Sequence, residues 1–331
     1  MPEVTPHAHA TLPEAPRAMK SPVFGLYHGA VREGPDAPPM RAAAMRRKRW
    51  VYVGVCDPSF VLGVAVVDLG FASNAFAYLG GDGARRPREW KSVATPLAAT
   101  VGRRSAAFSG GGGRLWLALP EGSRPGALEG RVPLGGGAWG ELALSLKGGA
   151  GGEVTCVAPA GVGGDARWNL TTKNNALTAE GALRWGDRVV EVSAPVIVDV
   201  TDAYPARRTV WHWASGAGRV EGLGAVGFNL CALHNDSERA RENVLWVNGA
   251  PRALGRVRFS FDRARADTAE WSIDGERTSL RFRPWGLRDG HEDLGLVESR
   301  FVQPYGEFSG EVDGVRVDGV TGVVEDHEAV W

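Results

Sequence analysis

Apolar and polar positions in this chain alternate with a period of two, and that period predicts strands. Residues 50–56 and 61–69 are β-branched and aromatic runs bounded by Asp57-Pro58 and Gly70. Residues 115–119 and 141–146 repeat the pattern between glycine-rich turns. Past residue 170, Gly186-Asp187, Asn248-Gly249, Asp274-Gly275 and Asp313-Gly314 each sit between short alternating runs. Gly, Asn and Asp tolerate the positive φ that tight hairpin turns need, so these pairs predict antiparallel neighbours. No amphipathic run reaches a dozen residues at helical spacing. The best helical candidates, 37–48 and 238–243, are short or flanked by proline. The fold class is therefore all-β.

Glycine-rich stretches at 148–152 and 160–164 offer alternative boundaries between two β units. The expected division has an extended, proline-bearing segment over 1–45, an N-terminal β domain over 46–160 and a C-terminal β domain over 161–331. The 110–113 and 135–137 glycine runs are loop tips. They are not phosphate-binding loops, because no GK[ST] follows and no helix opens there.

Composition narrows the function classes. The 331 residues are 44% hydrophobic, enough for a substantial core. Lys and Arg number 38 against 38 Asp and Glu, so no nucleic-acid partner is expected. The one basic run, Arg46-Arg47-Lys48-Arg49, reads as a solvated turn entering a strand. Cys56, Cys156 and Cys231 are far apart among apolar neighbours, as buried thiols of a reducing compartment would be. The first residues lack a secretory core, and no apolar stretch approaches the roughly 18 residues that span a bilayer. A cytoplasmic protein without a membrane span is expected.

Four segments set polar groups beside large aromatics. In 168–175, Trp168 precedes five polar residues, which form a solvated turn or the rim of a pocket. In 207–216, strand geometry puts Trp211 and Trp213 on one face and His212 on the other. The tryptophans are core, or they wall a cavity where their faces stabilise a developing cation. In 300–310, Arg300 and Gln303 flank an expected bulge at Pro304. In 323–331, Glu325, Asp326 and His327 follow an apolar run and precede Trp331. They are either an exposed tail or part of a docked strand carrying a general acid or base. There is no HExxH, no GxSxG, no zinc spacing of Cys and His, and no GxGxxG opening a helix, so neither metal nor cofactor is expected.

Several runs together resemble the bacterial family known as domain of unknown function 2804. They are Lys48-Arg49-Trp50, residues 63–70, Thr171-Thr172-Lys173, Arg208-Thr209 with Trp211 and Trp213, Glu242-Asn243, 301–310 and 322–331. The likeness covers about 280 residues, and His212 departs from the family's pattern. That family is similar to two-domain lipocalin-like proteins, among them carotenoid hydratases, tocopherol-type cyclases and pericyclase-like cyclases. The resemblance implies two lipocalin-like β-barrel or β-sandwich units in tandem, with an apolar ligand inside a barrel or between the units. Gly and Ala richness with many Arg fits a high-GC bacterium, and the implied setting is secondary metabolism.

The expected function is cofactor-independent cyclisation, hydration or isomerisation of an isoprenoid or polyketide. A non-catalytic carrier of the same ligand is the alternative. Asp326 and His327, with His212 and Glu242, are the candidate catalytic residues. Trp168, Trp211 and Trp213 are expected to line the cavity, and Lys173, Asn229, Arg300 and Gln303 to contact substrate.

Overall fold

The computed structural model describes residues 11–331 apart from 82, 84, 161–165, 294 and 296. Its strands form two curled antiparallel sheets of 14 and 10 strands among the described residues, two lipocalin-like units in tandem. In the first, the order runs from Arg88–Ala94 through Ser73–Gly81, Phe60–Asp68 and Lys48–Asp57 to the long Arg188–Ala203 strand. It continues through Leu177–Trp185 to the hairpins that end at Ala99–Val101. Trp168–Lys173 pairs with the far end of the Arg188 strand and leads to Val154–Pro159 and Gly25–His28. In the second, Gly224–Ala232, Arg208–Val220, Val320–Val330, Glu298–Val312 and Thr278–Asp293 lie side by side.

The alternation seen in the sequence sorts two kinds of core. Val51, Val53, Val55, Leu62 and Val64 point into the first sheet's own curl and fill it. The second curl is filled by Phe228, Trp271, Phe282 and Phe308 among others. The opposite face of the first sheet, with Tyr52, Cys56, Ala65, Tyr78 and Ile197, packs on Trp213, Ala217, Cys231, Tyr305 and Val323 of the second. This third core joins the units. Asn175 stitches the same seam, its amide donating to Ser215 Oγ (2.8 Å) and to the Phe228 carbonyl (2.7 Å).

Several expectations change. The chain passes from the first sheet to the second between Ala203 and Arg208, so 148–160 lies inside the first strand set; residues 161–164 fall outside the described residues. The first sheet keeps the strand pair beyond 160 because Arg188–Ala203 zips against Lys48–Asp57. Of 37–48 only Ala43–Arg46 is helical, and 238–243 forms no helix. Asn248-Gly249 and Asp313-Gly314 are positive-φ turns as expected. Asp274-Gly275 instead ends a strand, and the turn is Glu276-Arg277, because Gly275 already pairs with Thr278. The bulge expected at Pro304 lies across the ladder, where Trp285 is the extra residue between Pro284 and Gly286. Lys48 is buried, not solvated. Residues 11–45 lie along the first sheet, Met19, Tyr27 and Val31 packing with Trp168 and Tyr204; 1–10 fall outside the described residues. No helix among the described residues is long and apolar enough to cross a membrane.

Candidate functional site

Strand register builds a pocket between the sheets. In the first sheet, one cross-strand row reads Lys173, Asp199, Tyr52, Ala65, Phe76, Lys91, and the next reads Thr171, Thr201, Trp50, Val67, Asn74, Val93. In the second sheet the facing rows are Trp211, His327, Phe301 and, one step along, Cys231, Trp213, Glu325 with Gln303 on the next strand. Side chains opposite each other across a ladder share a face, so each row presents one wall. Between the walls lies a cavity of about 250 Å³, lined mostly by apolar atoms.

One polar cluster belongs to the second sheet. Glu325 Oε1 accepts from the Trp211 indole (2.8 Å) and lies 2.9 Å from His327 Nδ1. Glu325 Oε2 accepts from the Gln303 amide. A carboxylate only accepts, so Nδ1 of His327 carries its proton. In the neutral imidazole Nε2 is then the acceptor for the Ser299 hydroxyl, 2.8 Å away. The result is a Ser299–His327–Glu325 relay opening on the pocket. Hydroxyl, imidazole and carboxylate are spaced as in a nucleophile, base and orienter set. Ser299, however, sits on a central strand whose neighbours on both sides consume backbone N–H groups, so no local backbone oxyanion hole forms. The arrangement is equipped for proton transfer.

The second cluster joins the first sheet to the 233–243 segment of the second unit. Lys173 is buried, its ammonium 2.9 Å from Asp199 and 3.5 Å from Glu242. Burial opposes its charge, but the two carboxylates outweigh burial and hold its pKa above the ordinary value. Asp199 also accepts from Thr171 Oγ1 (2.9 Å) and the Trp50 indole (3.1 Å). Glu242 accepts from the Asn235 amide (2.8 Å), and the Asn235 carbonyl oxygen accepts from the Asn169 amide (3.0 Å). Asn169 also donates to His234 Nε2 (3.2 Å), and burial lowers the His234 pKa, keeping that ring neutral. The carboxylates dictate the amide orientations, and they leave Asn169 Oδ1 and Gln303 Oε1 covered and without a hydrogen-bond partner among the described residues.

The expected residues separate. His327, Glu242, Lys173, Trp211, Trp213 and Gln303 meet at the pocket. Asp326 and His212 pair across the ladder on the other face of the sheet. There Asp326 binds Arg263 and lies 3.3 Å from His212 Nε2. Burial, then the Arg263 charge, pushes the His212 pKa down, so that contact involves a neutral ring. His212 and His327 thus face away from each other and cannot share a metal ion. Trp168 packs under the N-terminal segment and donates to the Asp36 carbonyl (3.1 Å). Asn229 stands behind the pocket wall, accepting from the Trp213 indole (2.8 Å). Arg300 pairs with Glu298 (3.0 Å) and does not line the pocket.

Asp199, His234, Asn235, Ser299 and Arg288 do not stand out in the sequence as site residues. Asn169, Thr171 and Lys173 alternate, as do Asp199 and Thr201, and polar residues at every second position of apolar strands are the available signal. Arg288 has none.

Solved structures share the architecture. The Nitrosomonas europaea protein NE1406, provisionally assigned as an AttH, is 14% identical with a TM-score of 0.56, over 85% of this chain and 92% of its own. Kievitone hydratase from Nectria haematococca is 11% identical with a TM-score of 0.48, over 98% of each chain. CghA, solved with Sch210972, is 11% identical with a TM-score of 0.42, over 96% of this chain and 97% of its own. At such identities the likeness to NE1406 speaks to the fold alone. No curated protein matches the chain by sequence. The family model matches from residue 21 to residue 331, and the chain belongs to the family described as Domain of unknown function (DUF2804).

Proposed function

We propose that the chain is a cofactor-independent enzyme that cyclises, hydrates or isomerises a hydrophobic small molecule of isoprenoid or polyketide type. The observation that carries this reading is the Ser299–His327–Glu325 relay at the wall of an aromatic pocket. His327 moves the proton. Glu325 holds the ring's tautomer and stabilises the imidazolium that forms, and Ser299 passes the proton between Nε2 and substrate. The faces of Trp50, Trp211 and Trp213 stabilise positive charge developing on the substrate. Water is displaced by the apolar walls, which strengthens each polar contact inside.

The test is comparative metabolite profiling of the native host carrying wild-type protein, His327→Gln, Glu325→Gln or Asp326→Asn. A single proton-transfer group contributes about 10²–10⁴ in rate. The first two variants should therefore lose an apolar product and accumulate its precursor, equal in mass or differing by one water. Asp326→Asn, on the far face, should keep the product. Unchanged profiles in well-folded His327→Gln and Glu325→Gln would leave the protein a non-catalytic carrier of the same ligand.

A further inference from the structure

We infer that Arg288 is the specificity group of the pocket and that it holds a neutral carbonyl oxygen of the substrate. This rests on the pocket being the ligand site, as proposed above, and adds the chemistry of the ligand's polar end.

Arg288 lies on Thr278–Asp293 with its side chain almost wholly buried, yet it lines the cavity. Its guanidinium carbon is 3.9 Å from the centroid of Phe76, on the first sheet, and 4.6 Å from that of Phe301, on the second. Nε donates to Glu89 (2.7 Å), which pins one edge of the plane. The two terminal nitrogens have no hydrogen-bond partner among the described residues, and neither is fully covered, on a residue that lines the cavity. A guanidinium cannot shed its proton, so these donors face the pocket permanently. Rings on both sheets and a carboxylate on its edge leave the fork little rotational freedom, which is the preorganisation a binding group needs.

Phe301 links this fork to the relay, since its ring centroid is 4.6 Å from the guanidinium and 5.4 Å from that of His327, which lies 4.0 Å from that of Trp211. An oxygen held by Arg288 therefore places the carbon skeleton alongside the proton-transfer group.

Charge decides which oxygen. Among the described residues, six carboxylates line the pocket against three cations, Lys91, Lys173 and Arg288. Lys173 is committed to Asp199 and Glu242, and Lys91 to Glu292 (2.7 Å). A carboxylate ligand would enter a field already negative, whereas a carbonyl takes two charge-assisted hydrogen bonds without adding charge.

The experiment is displacement of the neutral fluorophore N-phenyl-naphthylamine from the full-length protein. The competitors are methyl nonyl ketone, the alkane of the same chain and the carboxylate of the same length. In wild type the ketone should bind roughly tenfold or more tightly than the alkane, the difference expected of hydrogen bonds to a charged donor, and the carboxylate more weakly than the ketone. In Arg288→Met the ketone preference should vanish while the fluorophore still binds. Glu89→Gln, which leaves Arg288 in place and removes one negative charge, should strengthen carboxylate binding severalfold and serves if Arg288→Met fails to fold. Fluorophore binding with no ketone preference in wild type, or a preference that survives Arg288→Met, would overturn the assignment to Arg288 alone. Unchanged carboxylate affinity in Glu89→Gln would overturn it equally. Failure of wild type to bind the fluorophore or any competitor would overturn the pocket reading and this inference with it.

Discussion

Single residues in this protein owe their roles to which face of a strand they occupy. Asp326 and His327 are neighbours in sequence and read as one acid–base pair, yet period-two geometry sends them to opposite sides of the sheet. The partner of His327 is Glu325, two positions away on the same face. Lys48 shows the same logic within a basic run. Its ammonium donates to the carbonyls of Met45 (2.9 Å) and Leu69 (2.7 Å) and forms no ion pair among the described residues, although the Asp68 charge partly offsets its burial. Burial pushes its pKa down to about 8. Unfolded, a lysine titrates near 10.4, so between about pH 8 and 10.4 the unfolded chain binds the extra proton and stability rises with pH. Below that window both states are charged and the burial penalty is present in full, at most about 3 kcal/mol. The urea midpoint of wild type should therefore climb relative to that of Lys48→Met as pH rises through this window. Parallel pH profiles would show that the amine carries no such penalty.

At the scale of strands, hairpin turns and apolar alternation were legible because both are local. The polar strands were harder. The 168–173 strand carries Asn169, Thr171, Thr172 and Lys173, and a run of polar residues reads as a solvated turn unless a second sheet is known to cover it. The covering sheet also explains glycines that no turn requires. Gly80 is the next-to-last residue of Ser73–Gly81, and a β-carbon there would run into the Tyr305 ring of the other unit. The two sheets touch because that side chain is missing. Gly80→Val should cost about 1–3 kcal/mol through overpacking, seen as a lower chemical-denaturation midpoint, and should weaken fluorophore binding next door. A midpoint equal to wild type would mean that the seam yields freely.

The whole molecule is two filled curls joined by a third core, and the candidate site occupies the open end of that seam. Neither unit alone buries Tyr52, Val61, Ile197, Trp213 or Val323. A fragment ending at Ala206, produced by itself, should bind anilinonaphthalene sulfonate strongly through this bare face. Adding residues 207–331 should quench that signal and restore fluorophore binding in the pocket. A fragment that stays monomeric and dark would show that the seam contributes little. The sequence by itself determined the all-β class, most of the hairpin turns, the two-unit plan and a set of unusual residues in the C-terminal half, since period, turn chemistry and motif are properties of neighbouring positions. Tertiary structure alone decided that the curls are filled and the cavity lies between them, that the passage between units comes at 204–207, and that Lys173, Asp199, Glu242, Arg288, Ser299 and His327 converge on it. Those residues are up to 154 positions apart, and strand register together with sheet-on-sheet packing, which no local pattern encodes, brings them together.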